Sequence, residues 1–411
     1  MADRYVHRSI EPVLSSLLRQ FPAVALTGPR QSGKSTLLRR CLPEYRYLTL
    51  DDPVLREQGL SDPNLFLDSA GDRAILDEVQ YAPSLLSYVK MRIDDAREKR
   101  GRFVLTGSQQ FQLMKGLTES LAGRVALLEL LPFTLEEKRR CPGGKARLES
   151  GIDSFVDACL RGSYPELVVS RDIDPARWHA AYVQTYLERD IRSIYNVGDL
   201  RDFQRCTQLL AAHCGQALQL STLASALGVA VATIKRWVSI LEACRILFLL
   251  PPYANNLGKR VRKAPKIYFT DCALVCYLTG VRSKEALTRG PLAGPLFENF
   301  CVQETLKIFL AAGLVPRLSY VQTQNQLEVD LLIEGEDGRP HPFEIKLSKT
   351  PRPGMADGLE RFAELFASLS PDSGQVVCLA DQPLTLTRAV TALPVSAYLD
   401  RVKNLAERKG R

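Results

Sequence analysis

Gly28-Pro29-Arg30-Gln31-Ser32-Gly33-Lys34-Ser35 decides the fold. The stretch fits the spacing GxxxxGK[ST]. It follows the apolar run Ala23-Val24-Ala25-Leu26-Thr27 and leads into Thr36-Leu37-Leu38-Arg39-Arg40, whose residues suit a helix. Strand, glycine-containing turn and helix, in that order, aim backbone N–H groups and a helix N-terminus at phosphate groups. In such a loop Lys34 neutralises charge at the β- and γ-phosphates, and Ser35 offers an oxygen to Mg²⁺.

Short apolar runs recur at Tyr47–Leu50, Arg73–Leu76, Phe103–Thr106 and Ala126–Leu130, separated by segments of helical spacing. Strands alternating with helices predict a parallel sheet covered on both faces. Ala74-Ile75-Leu76 ends in Asp77-Glu78, the place of a Walker B pair. There Asp77 would hold the Mg²⁺ shell and Glu78 would polarise the attacking water. Ser108 follows the strand Phe103–Thr106 and takes the sensor-1 position of AAA+-type sheets. Arg124 is a candidate cation for a γ-phosphate, on its own chain or a neighbour's, with a plain surface arginine as the alternative.

Composition sets bounds on the remainder. The 411 residues carry 54 Lys and Arg against 46 Asp and Glu, a formal charge of +8, with 45% hydrophobic residues. That balance excludes collagenous, disulfide-scaffold and wholly disordered classes and leads us to expect two or three domains. No apolar run reaches the roughly 18–20 residues of a bilayer span, so no membrane partner is expected. Ten scattered cysteines are read as reduced core thiols of a cytoplasmic protein. His7, His179, His213 and His341 form no recognisable triad, while Tyr186, Tyr195 and Trp237 fall in helical segments as core residues.

After the loop Cys141–Lys145 the chain turns helical. Leu220–Val229 and Ala232–Leu241 read as two helices joined by a turn containing Gly228, with Ser221 as N-cap. Leu223, Ala224 and Leu227 line one apolar face, and Ile234, Val238 and Leu241 another. Five of the eight positions from Lys259 to Lys266 are cations, placed on a hairpin after the second helix. In a winged helix, Thr233, Lys235 and Arg236 would face DNA, while Lys259, Arg260, Arg262 and Lys263 would meet phosphates. An interdomain or protein-binding module with a solvated hairpin is the competing reading.

Further on, Glu298 in a helical segment is followed by Asp330 and then Glu344-Ile345-Lys346. Strand alternation puts Glu344 and Lys346 on one face. Glu298, Asp330 and Glu344 would then converge on a hard cation beside Lys346, in the order of the PD-(D/E)xK nuclease-like fold. A noncatalytic descendant with solvated charges is an equal alternative; Glu304 and Glu328 are left as structural.

GPRQSGKSTLL, YLTLDDP, AILDEVQYAPSLL, FVLTGSQQFQLM and LAGRVALLELLPFTLEE, with Arg161–Glu166, Tyr182–Ile191 and Pro265–Phe269, resemble the bacterial and archaeal AAA+-like ATPases that carry a C-terminal domain of unknown function, DUF4143. The resemblance implies ATP at Gly28, Gly33, Lys34, Ser35 and Thr36, Walker B at Asp77 and Glu78, and sensor 1 at Ser108. Ser163 departs from the second glycine that the family often has there, which raises the question of a strained backbone. The expected architecture is an α/β P-loop domain over residues 1–140, a helical and winged-helix domain over 150–285, and an α/β nuclease-like domain over 286–411. The expected activity is Mg²⁺-dependent ATP hydrolysis coupled to DNA binding or processing, with metal-dependent nuclease activity left open. The alternative is a nucleotide-gated switch for DNA or a protein partner that cuts nothing. A homo-oligomer is compatible with either.

Overall fold

The computed structural model describes residues 5–107, 121–190, 198–253, 264–323 and 327–409. In it the chain divides into two compact units. The first comprises residues 1–133 with 243–245 and 310–313; the second comprises 134–242, 246–309 and 314–411.

The first unit is built on β1 (Ala23–Thr27), β2 (Arg46–Thr49), β3 (Ala74–Asp77), β4 (Phe103–Gly107) and β5 (Val125–Glu129), all parallel, in the order β2-β3-β4-β1-β5. β1, β3 and β4 are buried at every residue. That explains their unbroken apolar runs, because a parallel strand with helices over both faces has no wet side. Alternate residues serve opposite layers. Val24, Leu26, Ile75 and Val104 pack with Leu14 and Leu18 of α1 (Glu11–Gln20) and with Leu37 and Leu38 of α2 (Lys34–Cys41). Ala23, Ala25, Leu76 and Leu105 pack with Phe66 and Leu67 of α4 (Pro63–Ala70) and with Leu85, Leu86 and Val89 of α5 (Leu85–Asp94). Between β2 and α4, α3 (Pro53–Ser61) is opened by Asp52, which accepts from the Val54 amide at 2.8 Å. β4 lies between the P-loop strand β1 and the Walker B strand β3, so the carboxyl ends of all three open onto one edge. In open α/β sheets ligands bind at that edge, where the strand order reverses.

The second unit begins with short helices. Gly162 takes the positive φ of the Arg161–Glu166 turn, at +93°, while Ser163 does not, so the turn avoids the strain that a positive φ would impose on a serine. Instead the Ser163 amide donates to Asp271 at 2.7 Å. A Cβ on Gly162 would meet that same carboxylate at 3.0 Å. Helices Leu220–Leu227 and Val231–Ala243 cross at 110°. The first ends at Gly228 with φ +70°, the left-handed cap that a tight helix-turn-helix corner requires. It starts two residues earlier than a Ser221 cap would place it, with Gln219 at the N-cap position, so Ser221 is not its N-cap. Leu223, Ala224, Leu227, Ile234, Trp237, Val238 and Leu241 are buried as the spacing predicts.

An antiparallel pair follows, β6 (Leu247–Leu250) with β7 (Lys266–Phe269). Helix Ala293–Ala311 then leads to a six-stranded sheet of β8 (Leu318–Gln322), β9 (Glu328–Glu334), β10 (Pro340–Ile345), β11 (Gly374–Cys378), β12 (Leu384–Thr385) and β13 (Val390–Pro394), in the order β12-β13-β11-β10-β9-β8. β8, β9 and β10 are antiparallel, whereas β10, β11 and β13 run parallel. Helix Asp357–Leu365 covers the sheet with Leu359 and Phe362. Among the described residues no single helix is long and apolar enough to cross a membrane. All ten cysteines are free thiols.

Candidate functional site

The P-loop is shaped by three residues of positive φ, Gly28 at +143°, Gln31 at +64° and Gly33 at +93°. Gly28 admits no side chain, since a Cβ there would lie 2.1 Å from the Leu130 carbonyl oxygen. Gly33 caps α2, which begins at Lys34. Lys34 is buried and donates to the carbonyls of Gly28 at 2.9 Å and Pro29 at 3.0 Å. Burial pushes its ammonium below the usual lysine range against the pull of Glu78 and Asp77. Ser35 Oγ donates to Asp77 at 3.0 Å, so the loop serine and the strand-end carboxylate already share one point.

Asp77 is a buried hub. Besides Ser35, it accepts from the hydroxyls of Tyr47 and Thr106. Glu78 takes a left-handed backbone, φ 57° and ψ 45°, unusual for a side chain of its size. Its amide donates to Thr106 Oγ1 at 3.3 Å, and its carboxylate accepts from Gln80. The abrupt turn separates two adjacent carboxylates, one set inward on the serine and one held beside it. Strained residues of this kind concentrate at functional sites. The residues fit a Mg²⁺-nucleoside triphosphate. The glycine cradle would take the phosphates, the buried and unpartnered Ser32 Oγ lies within the loop, and Ser35 with Asp77 would hold the cation.

Arg124 takes the surface alternative rather than a place at its own chain's γ-phosphate. It precedes Val125, whose register partner is Ala23 at the start of β1, while the P-loop follows Thr27 at the other end. Arg124 therefore stands at the sheet edge opposite the phosphates, paired with Asp94 at 2.8 and 3.0 Å. It cannot serve its own chain's γ-phosphate. Contact with a neighbour's nucleotide would require that pair to open. Ser108 lies outside the described residues.

On the second helix of the helix-turn-helix, Lys235 and Arg236 are exposed and Thr233 is half-buried. Lys259, Arg260, Arg262 and Lys263 lie outside the described residues. Lys266, counted with them as a hairpin cation, is instead only 4% exposed.

It points into the carboxylates. Lys266 Nζ lies 3.0 Å from Glu298, 3.2 Å from Glu328 and 3.6 Å from Asp330. The Tyr268 hydroxyl donates to Glu298. Lys346 pairs with Glu344 at 2.5 Å and Asp330 at 3.6 Å, and the Ile345 amide donates to Asp330 at 2.8 Å. The fold thus brings Glu298, Asp330, Glu344 and Lys346 together, as their order predicts, but with a second lysine among them. Among the described residues no group of three or more His, Cys, Asp or Glu side chains is disposed to hold a metal ion. The expected metal set of Glu298, Asp330 and Glu344 is therefore not assembled, because ammonium groups stand between its members. Glu328 belongs to the cluster rather than to the background. Burial, reinforced by Asp330, pushes Glu298 up to about 7 and Glu344 up to about 8. Burial opposes the charge on Lys266, yet Glu298, Asp330 and Glu328 hold its ammonium above the usual lysine range. Glu304 is structural as expected, accepting from the Leu135 amide at 2.7 Å and pairing with Lys307.

Family models match the chain in three segments. Residues 20–138 match an AAA domain, 152–285 a domain of unknown function (DUF8612), and 293–398 a second domain of unknown function (DUF4143). The uncharacterized protein Rv2008c of Mycobacterium tuberculosis is 34% identical over 343 residues, covering 82% of this chain and 73% of that protein. Its Mycobacterium bovis counterpart Mb2031c gives the same figures. The chain belongs to the AAA ATPases with a C-terminal DUF4143 region.

Among solved structures, a Walker-type ATPase of Pyrococcus abyssi is similar at 17% identity over 68% of this chain and 96% of that one, with a TM-score of 0.46. The RuvB Holliday junction branch migration motor of Thermotoga maritima follows at 21% identity, 59% and 89% coverage, and a TM-score of 0.32. Both likenesses are too remote to carry function across.

Three residues of this AAA ATPase escape a reading by motif. Thr106 and Tyr47 complete the shell of Asp77; each ends or lines a strand where a hydroxyl at the carboxyl edge was the available signal. Arg8 has no such signal. Its buried guanidinium donates to the carbonyls of Ser32, at 2.9 Å, and Leu131, at 2.7 Å, and lies over the Phe133 ring at 4.7 Å. It ties the P-loop to the chain leaving β5.

Proposed function

We propose that the protein is a Mg²⁺-dependent ATPase whose nucleotide state governs engagement of DNA by its helix-turn-helix segment. The Ser35–Asp77 contact of 3.0 Å, with Glu78 turned aside on a left-handed backbone, carries the ATPase reading. It joins the two cation ligands and leaves the second carboxylate to orient water, as in-line phosphoryl transfer requires. DNA is the partner that best suits two helices crossing at 110° with Lys235 and Arg236 exposed on the second. Ten unbridged thiols fit a cytoplasmic location.

Lys235→Glu combined with Arg236→Glu is expected to weaken DNA binding at least about tenfold and to reduce the slope of log affinity against log salt by about 2. Fluorescence anisotropy across a salt series measures both. An unchanged affinity and slope would transfer the segment to a protein partner.

For the C-terminal cluster, the lysine among the acids favours the reading in which no phosphodiester is broken. With Mg²⁺ or Mn²⁺, linear, single-stranded and branched DNA are expected to remain intact. Cleavage by the wild type that disappears in Glu344→Ala would restore the nuclease reading.

A further inference from the structure

Lys266 is a buried cation facing three carboxylates, and its position is fixed from both sides. Its backbone opens β7 opposite Leu250 and also bridges Ala217, while the Leu218 amide donates to the neighbouring Pro265 carbonyl at 2.8 Å. Its ammonium is enclosed by Glu298, Glu328, Asp330 and the Tyr320 ring, whose centroid is 5.3 Å away. Tyr320 in turn donates its hydroxyl to the Ala264 carbonyl, and its backbone exchanges hydrogen bonds with Pro251 and Tyr253, at 3.0 and 2.8 Å. The side chain therefore cannot swing out unless the strand peels away.

Buried carboxylates persist only when paired, and a hard divalent cation or an ammonium can serve as the partner. Here the largely buried Glu298, Asp330 and Glu344, together with the half-exposed Glu328, face Lys266 and Lys346, four formal negative charges against two positive. One Glu344 oxygen, Oε2, is buried without a hydrogen-bond partner. Lys266 belongs to the segment matched at 152–285, and its carboxylate partners to the segment matched at 293–398.

We propose that Lys266 is the resident cation of this carboxylate cluster, occupying the place of a divalent metal, keeping the site metal-free and locking the β6–β7 hairpin onto the C-terminal sheet. The proposal deepens the non-cutting reading of the same cluster. Its test reads metal binding rather than cleavage, so the two can fail separately. Removing the ammonium leaves four carboxylates against Lys346 alone and opens the gap to a hard cation of oxygen-ligand preference.

The probe is Mn²⁺, titrated into full-length, nucleotide-free protein and followed by the loss of its free-ion electron paramagnetic resonance signal. Wild type and Lys266→Arg are expected to take up no Mn²⁺ that depends on Asp330. Lys266→Met is expected to bind one ion per chain at least about tenfold more tightly than wild type, and Lys266→Met/Asp330→Asn to lose that gain. Removing one buried charge alone also weakens the fold. Lys266→Met/Glu328→Gln, which removes one charge of each sign, supplies a second measurement: its Tm is expected to rise with Mn²⁺ by more than that of wild type, and the excess to vanish when Asp330→Asn is added. An Asp330-dependent Mn²⁺ site in wild type, or a folded Lys266→Met that gains none, overturns the proposal.

Discussion

Lys34→Ala is expected to abolish ATP turnover and to remove most nucleotide affinity. The lysine is the buried cation at the mouth of the P-loop, and its ammonium is parked on two carbonyls of the loop itself. A triphosphate entering the cradle would offer oxygens in their place, and the charge developing in transfer would be neutralised in a site where water screens little. Alanine removes the charge and leaves those carbonyls without a donor. A fall of about 10³-fold or more in kcat/KM is expected, with weakened binding of a fluorescent ATP analogue alongside it. Phosphate release and equilibrium titration give the two numbers. Turnover surviving in Lys34→Ala would place hydrolysis elsewhere.

Glu78→Gln is expected to separate binding from chemistry. Glutamine keeps the size of the side chain and its reach to Gln80, and the backbone turn held by the Thr106 hydroxyl is untouched. On the proposed role, only the capacity to orient and deprotonate water would be lost, worth about 10²–10⁴ in rate for a positioned base. The variant should therefore bind ATP about as well as wild type while its single-turnover rate collapses. Unimpaired hydrolysis would remove Glu78 from the chemistry; lost binding would make it a structural support.

The nucleotide site was readable because its pieces are local. Loop, strand and helix follow one another between Ala23 and Cys41, and strand β3 delivers Asp77 and Glu78 from its own pattern. The remainder depends on pairings across long stretches of chain. Lys266 looked solvated because it closes a run of cations; only the fold brings it to Glu298, 32 residues on, and to Asp330, 64 residues on. Arg124 shows a subtler limit. Its sequence names the strand it precedes, and in a parallel sheet every strand starts at the edge away from the phosphates. The same rule favours Thr106, at the end of β4, where a hydroxyl reaches both Walker B residues. The helix-turn-helix was legible because Gly228 and its flanking apolar faces are again local.

The AAA match begins at residue 20, but the hydrogen bonds of Arg8 do not respect that boundary. A fragment trimmed to the match would lose the guanidinium that fastens Ser32 to Leu131, and with it the brace on the phosphate loop. A fragment meant to keep that brace has to start ahead of Arg8, more than twelve residues before the family match begins.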